Sequence, residues 1–181
     1  MLVNESRAMS GVDAFDTAPA AELRPRLLTL TASEAWADAL LSSRPYGDLE
    51  SLLSRSDAIV VALPEAEVDA ALAGHPRIGE DVLDLDQDSA RRSGREQAGM
   101  LTADQRTRSA MAAGNRAYEQ RFGRIYLVAA AGRSADELLE LLQQRLDNDP
   151  DAELDVVRRE LARITRLRLA GLLHEESAGV A

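Results

Sequence analysis

The fold is decided by residues 134–164, which read SADELLELLQQRLDNDPDAELDVVRRELARI. Ser134 and Glu137 have the spacing of a capping box, which begins a helix. Leucines then recur at steps of three and four residues, as they do on one apolar face of a helix. The segment 147–150 (DNDP) ends that helix and begins another with the same periodicity. Two consecutive amphipathic helices predict a helical domain.

The same periodicity extends toward the amino terminus. A helix is predicted from about Thr31, with Trp36 as a core anchor, and the segment 44–47 (RPYG) should end it. Asp48 is a suitable N-cap for the next helix. Within that helix the run 58–63 (AIVVAL) on its own also fits a β-strand.

A third helical region is predicted from about Ala103 through Phe122, where Gly123 should end it. The apolar run 125–131 (IYLVAAA) is too short for its periodicity to distinguish helix from strand. Few glycines or prolines interrupt the longer segments, and only 3% of residues are aromatic. We therefore predict an all-α fold, a single-domain bundle of about seven to nine helices.

The chain has 181 residues, which suits one domain with its own core. Residues 1–22 have little periodicity and are expected to be a poorly ordered extension. The helical domain is expected over residues 23–176, followed by a tail at 177–181. No signal for export or membrane spanning is evident, so we expect a cytoplasmic protein.

Composition excludes several kinds of chemistry. All 21 basic residues are arginine, so lysine-dependent Schiff-base and P-loop chemistry is excluded. There is no cysteine, which excludes thiolate catalysis and zinc ribbons, and the two histidines are far apart in the sequence. The net charge of −10 disfavours nucleic-acid binding.

Three places could carry chemistry, and each has an ordinary structural alternative. His75 lies in a loop beside a proline, where an acid or base could be held, although a surface histidine is commoner. Ser93, Glu96 and Gln97 could face one point from a helix start, or could form a capping box. Arg133 lies between the apolar run and a helix start, where it could bind an anion or remain solvated.

The order of the motifs resembles the OHCU decarboxylase family, where OHCU is 2-oxo-4-hydroxy-4-carboxy-5-ureidoimidazoline. The resemblance covers roughly residues 27–173. The motifs that carry it are His75-Pro76-Arg77-Ile78-Gly79-Glu80, Ser93-x-x-Glu96-Gln97-Ala98-Gly99, Asn115-x-x-Tyr118-Glu119-x-Arg121-Phe122-Gly123, Gly132-Arg133-Ser134, Arg145-Leu146-x-Asn148-Asp149 and Ile164-x-x-Leu167-Arg168-Leu169.

This resemblance implies an all-helical enzyme, usually a homodimer. It would convert OHCU to (S)-allantoin and CO2 in urate catabolism, without a metal or an organic cofactor. Fixed donors would stabilise the developing enolate oxygen, and one positioned acid would deliver a proton to one face of the ring.

The resemblance also implies a set of site residues. The catalytic residues would be His75 as the acid, Glu96 as its acidic partner and Arg133 as a substrate-binding cation. The other substrate-binding residues would be Pro76, Ser93, Gln97 and the backbone of Tyr126, Leu127, Val128, Ala129 and Ala130.

The sequence departs from the family pattern at Ile125-Tyr126, at Arg92 and in the Asp-rich segment 81–88. All three departures bear on pocket shape and not on the proposed chemistry. The departures at Arg92 and Tyr126 leave open a decarboxylase of a related ureido or imidazoline acid. A non-catalytic helical interaction module on the same scaffold is a further alternative.

Overall fold

The computed structural model describes residues 11–73, 75–79, 100 and 103–178, and all of the regular elements in them are helices. The helices are α1 Gly11–Thr17, α2 Ala20–Leu28, α3 Glu34–Ser42, α4 Leu49–Val61, α5 Glu65–Leu72, α6 Gln105–Phe122, α7 Ala135–Arg145 and α8 Pro150–Ala178. The prediction of an all-α fold is confirmed, and the eight helices of the described residues fall within the predicted number.

Short polar side chains begin the helices where the sequence predicts them. Asp48 accepts a hydrogen bond from the N–H of Ser51, which satisfies one of the free donors at the start of α4. Ser134 and Glu137 form the predicted capping box of α7. Gly123 ends α6 with φ +70°, a left-handed conformation that glycine adopts without a steric penalty.

The buried apolar side chains form two clusters. The main core joins α1 to α5 with α8 and contains the fully buried Trp36, whose Nε1 donates to Ser56 Oγ at 3.0 Å. The second core joins α6 with α7 and contains Met111, Tyr118 and Leu142. The predicted role of Trp36 as a core anchor is confirmed.

The segment 125–130 runs between the two cores and has no helical hydrogen bonding. Ile125, Leu127 and Ala129 pack on the main core, whereas the alternate residues Tyr126, Val128 and Ala130 pack on the second core. Alternation with a period of two residues is the pattern of extended backbone. This stretch is therefore an extended connection with both of its faces covered by apolar side chains.

One sequence-based expectation was wrong for the described residues. Residues 11–22 do not form a loose extension, because α1 packs on α8 and buries Phe15 completely. The Asp16 carboxylate also accepts hydrogen bonds from the N–H groups of Tyr46 and Gly47. For the run 58–63, the predicted helix is confirmed over the strand alternative, because residues 58–61 continue α4.

The last helix extends to Ala178, two residues beyond the predicted domain boundary at 176. Residues 1–10 lie outside the described residues. Among the described helices, none is both long enough and apolar enough to cross a membrane.

Candidate active site

His75 follows the end of α5, and two contacts with that helix hold it. Its backbone N–H donates to Leu72 O at 2.9 Å, and its ring Nδ1 lies 2.9 Å from Ala71 O. A carbonyl oxygen can only accept, so Nδ1 carries the proton in this contact. The other ring nitrogen, Nε2, therefore carries no proton in the neutral ring and can accept a hydrogen bond.

Arg168 of α8 meets that second nitrogen. Its Nη1 lies 3.1 Å from His75 Nε2 and donates to Leu30 O at 2.8 Å. Both side chains are half-buried, so their charges are less screened than those of surface groups. The contact places one permanent cation beside one imidazole, at the junction of α5, α8 and the residues after α2.

These two residues lie in a cleft whose remaining described walls are largely apolar. The lining consists of His75, Pro76, Ile78, Ile164, Leu167, Arg168 and the backbone segment 126–131. Leu167 is 55% exposed and lies at the rim, whereas Ile78 and Ile164 are buried. The cleft thus combines a histidine, an arginine and main-chain groups with apolar surface, the composition typical of a small-molecule site.

The extended residues 126–130 form one wall of the cleft, and a buried network supports this cleft wall. Arg145 of α7 donates from Nη1 to Leu127 O at 2.6 Å and from Nε to Glu153 Oε1 at 2.8 Å. Glu153 also accepts hydrogen bonds from Tyr118 Oη and, at 2.7 Å, from Asn148 Nδ2. The Arg145 guanidinium lies 4.7 Å from the ring centre of Tyr126, a cation–π distance.

The two tyrosines of this network are neutral at ordinary pH. Burial raises the pKa of Tyr126 to about 12 and also raises that of Tyr118. Burial alone would lower the pKa of Arg145, but its hydrogen bonds to Glu153 and the surrounding phenols raise it overall. The network therefore holds one buried cation and one buried carboxylate, with the phenols as neutral hydrogen-bonding and stacking groups.

The structure brings together seven of the residues predicted for the site. His75, Pro76 and the five backbone residues 126–130 all line one cleft. Arg133 follows the wall but is not among the described lining residues. Its N–H donates to Ala130 O at 3.1 Å, and its charge acts on the Tyr126 phenol. Ser93, Glu96 and Gln97 lie outside the described residues.

Arg168 is a functional candidate to which the sequence pattern assigns no role. It belongs to the last quoted motif and lies four residues after Ile164, in register with the buried stripe of α8. An arginine in an otherwise apolar stripe is a signal of a specific partner, because buried cations are rare without one. Among the described residues, no group of three His, Cys, Asp or Glu side chains has the geometry of a metal site.

Comparison with known families decides the affiliation. The family model described as OHCU decarboxylase matches residues 16–170 of the chain. The chain belongs to the OHCU decarboxylase family. The matched range contains His75, Arg168 and the extended wall, so the cleft lies within the part of the chain that defines the family.

Individual proteins with the family's name are similar to this chain in sequence. The mouse 2-oxo-4-hydroxy-4-carboxy-5-ureidoimidazoline decarboxylase is 31% identical over 147 residues, which cover 80% of this chain and 83% of the mouse protein. A putative human protein of the same name is 34% identical and is covered to the same 83%, by 78% of this chain. The Arabidopsis thaliana uric acid degradation bifunctional protein TTL is 29% identical, but this chain spans only 45% of its length.

A solved structure supports the fold. The crystal structure of an OHCU decarboxylase in the presence of (S)-allantoin superposes with a TM-score of 0.70 at 23% identity. The match covers 82% of this chain and 97% of that one. This family member therefore has the family's helical fold over most of its length.

Proposed function

We propose that this protein converts OHCU to (S)-allantoin and CO2 in the degradation of urate. The observation that carries the proposal is the contact between His75 and Arg168 in a mostly apolar cleft of a chain from this family. The names of the mouse and human relatives supply the substrate. The cleft supplies the residue types that this substrate requires.

The substrate carries a carboxylate and a hydroxyl on one ring carbon, next to the carbon that bears the ureido group. Arg168 is the described cation that can hold this anion, since its fork of donors suits a carboxylate or an oxyanion. Breaking the bond to the carboxylate releases CO2 and moves the electron pair into the ring, forming an enolate. The apolar walls limit water near the reacting centre, and free main-chain N–H groups can stabilise the enolate oxygen.

His75 is the proposed proton carrier. Because Ala71 O holds the proton on Nδ1, Nε2 can take the hydroxyl proton of the substrate and return a proton to the ureido-bearing carbon. The former hydroxyl oxygen then becomes the carbonyl oxygen of allantoin. A second proton, taken from solvent, goes to the ring nitrogen that received the electron pair of the broken bond, so the product is neutral. Delivery from one side of the cleft gives one enantiomer. The anionic substrate would draw the Arg168 guanidinium from Nε2 and free that nitrogen for the transfer.

Other parts of the site rest on the family resemblance. We propose that Glu96 is the acidic partner of His75, and that Ser93 and Gln97 help to bind the substrate. The role of Arg133 as a second cation that binds the substrate stays a prediction. We also propose a cytoplasmic homodimer. Light scattering coupled to size-exclusion chromatography tests the dimer, and a molar mass near 19.6 kDa, that of one chain, would contradict it.

The test is circular dichroism of freshly generated OHCU, made from urate with urate oxidase and hydroxyisourate hydrolase. Wild-type protein should produce optically active (S)-allantoin faster than the spontaneous reaction. Arg168→Gln should reduce kcat/KM by on the order of 10²-fold, since an oriented charged donor is lost. The matched control is Arg159→Gln on an exposed part of the same helix, which should leave kcat/KM unchanged.

Folded wild-type protein that yields racemic product at the spontaneous rate would refute the proposed function. Equal losses in the Arg168 and Arg159 variants would refute the role of Arg168, because a general effect on the helix would then explain both.

A further inference from the structure

Glu160 is a buried carboxylate that faces the wall of the cleft rather than the cleft itself. It lies on α8 and is only 6% exposed. Its Oε2 accepts a hydrogen bond from Ala129 N–H at 2.8 Å, and its Oε1 accepts one from Arg163 Nη1 at 2.6 Å. Arg163 is 58% exposed, so its ion pair with Glu160 is largely open to solvent. A surface pair of this kind adds little stability. The buried bond to Ala129 is the more informative contact.

A second buried charge holds the same backbone two residues earlier. Arg145 donates to Leu127 O, and Glu160 accepts from Ala129 N–H. In extended backbone, the N–H and C=O groups of residues two apart point to the same edge. One donor from α7 and one acceptor from α8 therefore fix one edge of the cleft wall.

The opposite edge carries main-chain groups that remain available. Among the described residues, the N–H groups of Val128 and Ala130 have no hydrogen-bond partner. Both residues line the cleft together with His75 and Arg168. Unpaired N–H groups in a partly buried wall are costly unless a ligand or water accepts from them. The Val128 N–H belongs to the peptide group whose carbonyl, Leu127 O, accepts from Arg145, and the Ala130 N–H belongs to the peptide group that follows Ala129. Glu160 holds the peptide group between these two, so its bond to Ala129 N–H affects the direction of both.

We propose that Glu160 is a positioning residue for the decarboxylation. It acts through Ala129, and it orients the N–H groups of Val128 and Ala130 toward the anionic oxygens of substrate and enolate. This inference rests on the proposed function and adds to it a residue that does not contact the substrate. In this role the position of Glu160 Oε2, which accepts from Ala129 N–H, matters more than the negative charge of the carboxylate.

Two conservative substitutions separate placement from charge. Glu160→Gln loses the charge but keeps an oxygen acceptor at the same distance from Ala129. Glu160→Asp keeps the charge but withdraws the acceptor by about one methylene. We expect kcat/KM of the Gln variant to stay within about 3-fold of wild type. The Asp variant should lose about 10-fold or more, since small errors in positioned donors cost this much.

The enantiomeric excess of allantoin is the second readout, measured at enzyme concentrations where the spontaneous reaction is negligible. The enantiomeric excess should fall in Glu160→Asp, because the proton is delivered to a substrate that is held less firmly. It should persist in Glu160→Gln. The matched control is Arg163→Gln, which removes the exposed partner and leaves the bond to Ala129 intact. Wild-type kcat/KM and enantiomeric excess are expected for that control.

The possible failures are distinguishable. Suppose that wild type is active, that Glu160→Gln loses kcat/KM and that Glu160→Asp keeps it. This result would overturn the positioning role, because the charge of Glu160 would then matter more than the position of its oxygen. The positioning role would also be overturned if Glu160→Gln and Glu160→Asp both lose stability in urea but keep the kcat/KM and enantiomeric excess of wild type. Absence of OHCU turnover in wild type would instead refute the proposed function. Hydrogen exchange of the Ala129 amide then still tests the contact itself, with protection expected in wild type and Gln and lost in Asp.

Discussion

Removing the buried cation Arg145 should cost this protein a large part of its stability. Arg145 is 6% exposed and donates to Glu153, to Leu127 O and, at 3.3 Å, to Tyr118 Oη. Glu153 is 1% exposed. The substitution Arg145→Met keeps a long apolar side chain and removes the charge together with all of these donors.

The expected loss is about 3–5 kcal/mol, the usual cost of leaving one partner of a buried ion pair without the other. Its main component is the Glu153 carboxylate, which keeps only the hydrogen bonds from Tyr118 and Asn148. The lost donor to Leu127 O adds to the cost but is not independent of it. For a protein of this size the loss corresponds to a fall in Tm of about 6–20 °C.

Urea unfolding followed by circular dichroism measures the change. The double variant Arg145→Met with Glu153→Leu should recover much of the loss, because no buried charge is then left unpaired. The exposed pair Arg24–Asp38 provides the control, and Arg24→Met should leave the unfolding midpoint nearly unchanged. A loss below about 1 kcal/mol for Arg145→Met, or no recovery in the double variant, would refute the reasoning.

Further predictions concern catalysis, packing and pH. His75→Asn should lower kcat by on the order of 10²-fold or more in the OHCU assay, and wild-type turnover would contradict its role as the acid. Gly114→Ala should lower stability in urea by about 1–3 kcal/mol, because a Cβ there would lie 2.5 Å from Leu142 Cδ2. The control is Gly171→Ala, where no atom lies within 4 Å of the added Cβ, and this variant should be as stable as wild type or more stable. The pKa of Asp104 is lowered by the backbone N–H that it caps, so its stabilising effect is present above about pH 4 and is lost as the pH falls. Asp104→Asn should keep the cap and reduce this acid sensitivity in urea titrations from pH 6 to pH 2.

Helix positions could be predicted from the sequence because local chemistry decides them. Asp48, Ser134 and Gly123 act within one turn of their own positions, and each begins or ends the helix that the sequence predicts. The first helix was missed because its apolar content is small. Only Val12 and Phe15 signal it, and their burial depends on contacts with α8, which is distant in the sequence.

The segment 125–131 shows why the wall of the site could not be predicted as a structure. All seven residues are apolar, and such a run carries no periodicity. The structure explains the run, since alternate residues from 125 to 130 pack on two different cores. A connection covered on both faces needs apolar side chains at every position, as buried strands do. The information that identifies it lies in the helices on either side.

The charged residues within the buried face of α8 are where sequence and function can be connected. Glu153, Glu160 and Arg168 interrupt a stripe that otherwise contains Val157 and Ile164. A charge in such a stripe is costly to desolvate, so it is expected only where a specific partner lies opposite. Each of the three has one: Arg145 for Glu153, the backbone of the cleft wall for Glu160, and His75 for Arg168. An interrupted stripe therefore indicates a site in a helical protein, although the partner is identified only when the other elements are in place. In this chain α8 organises the core network, the cleft wall and the proposed catalytic pair.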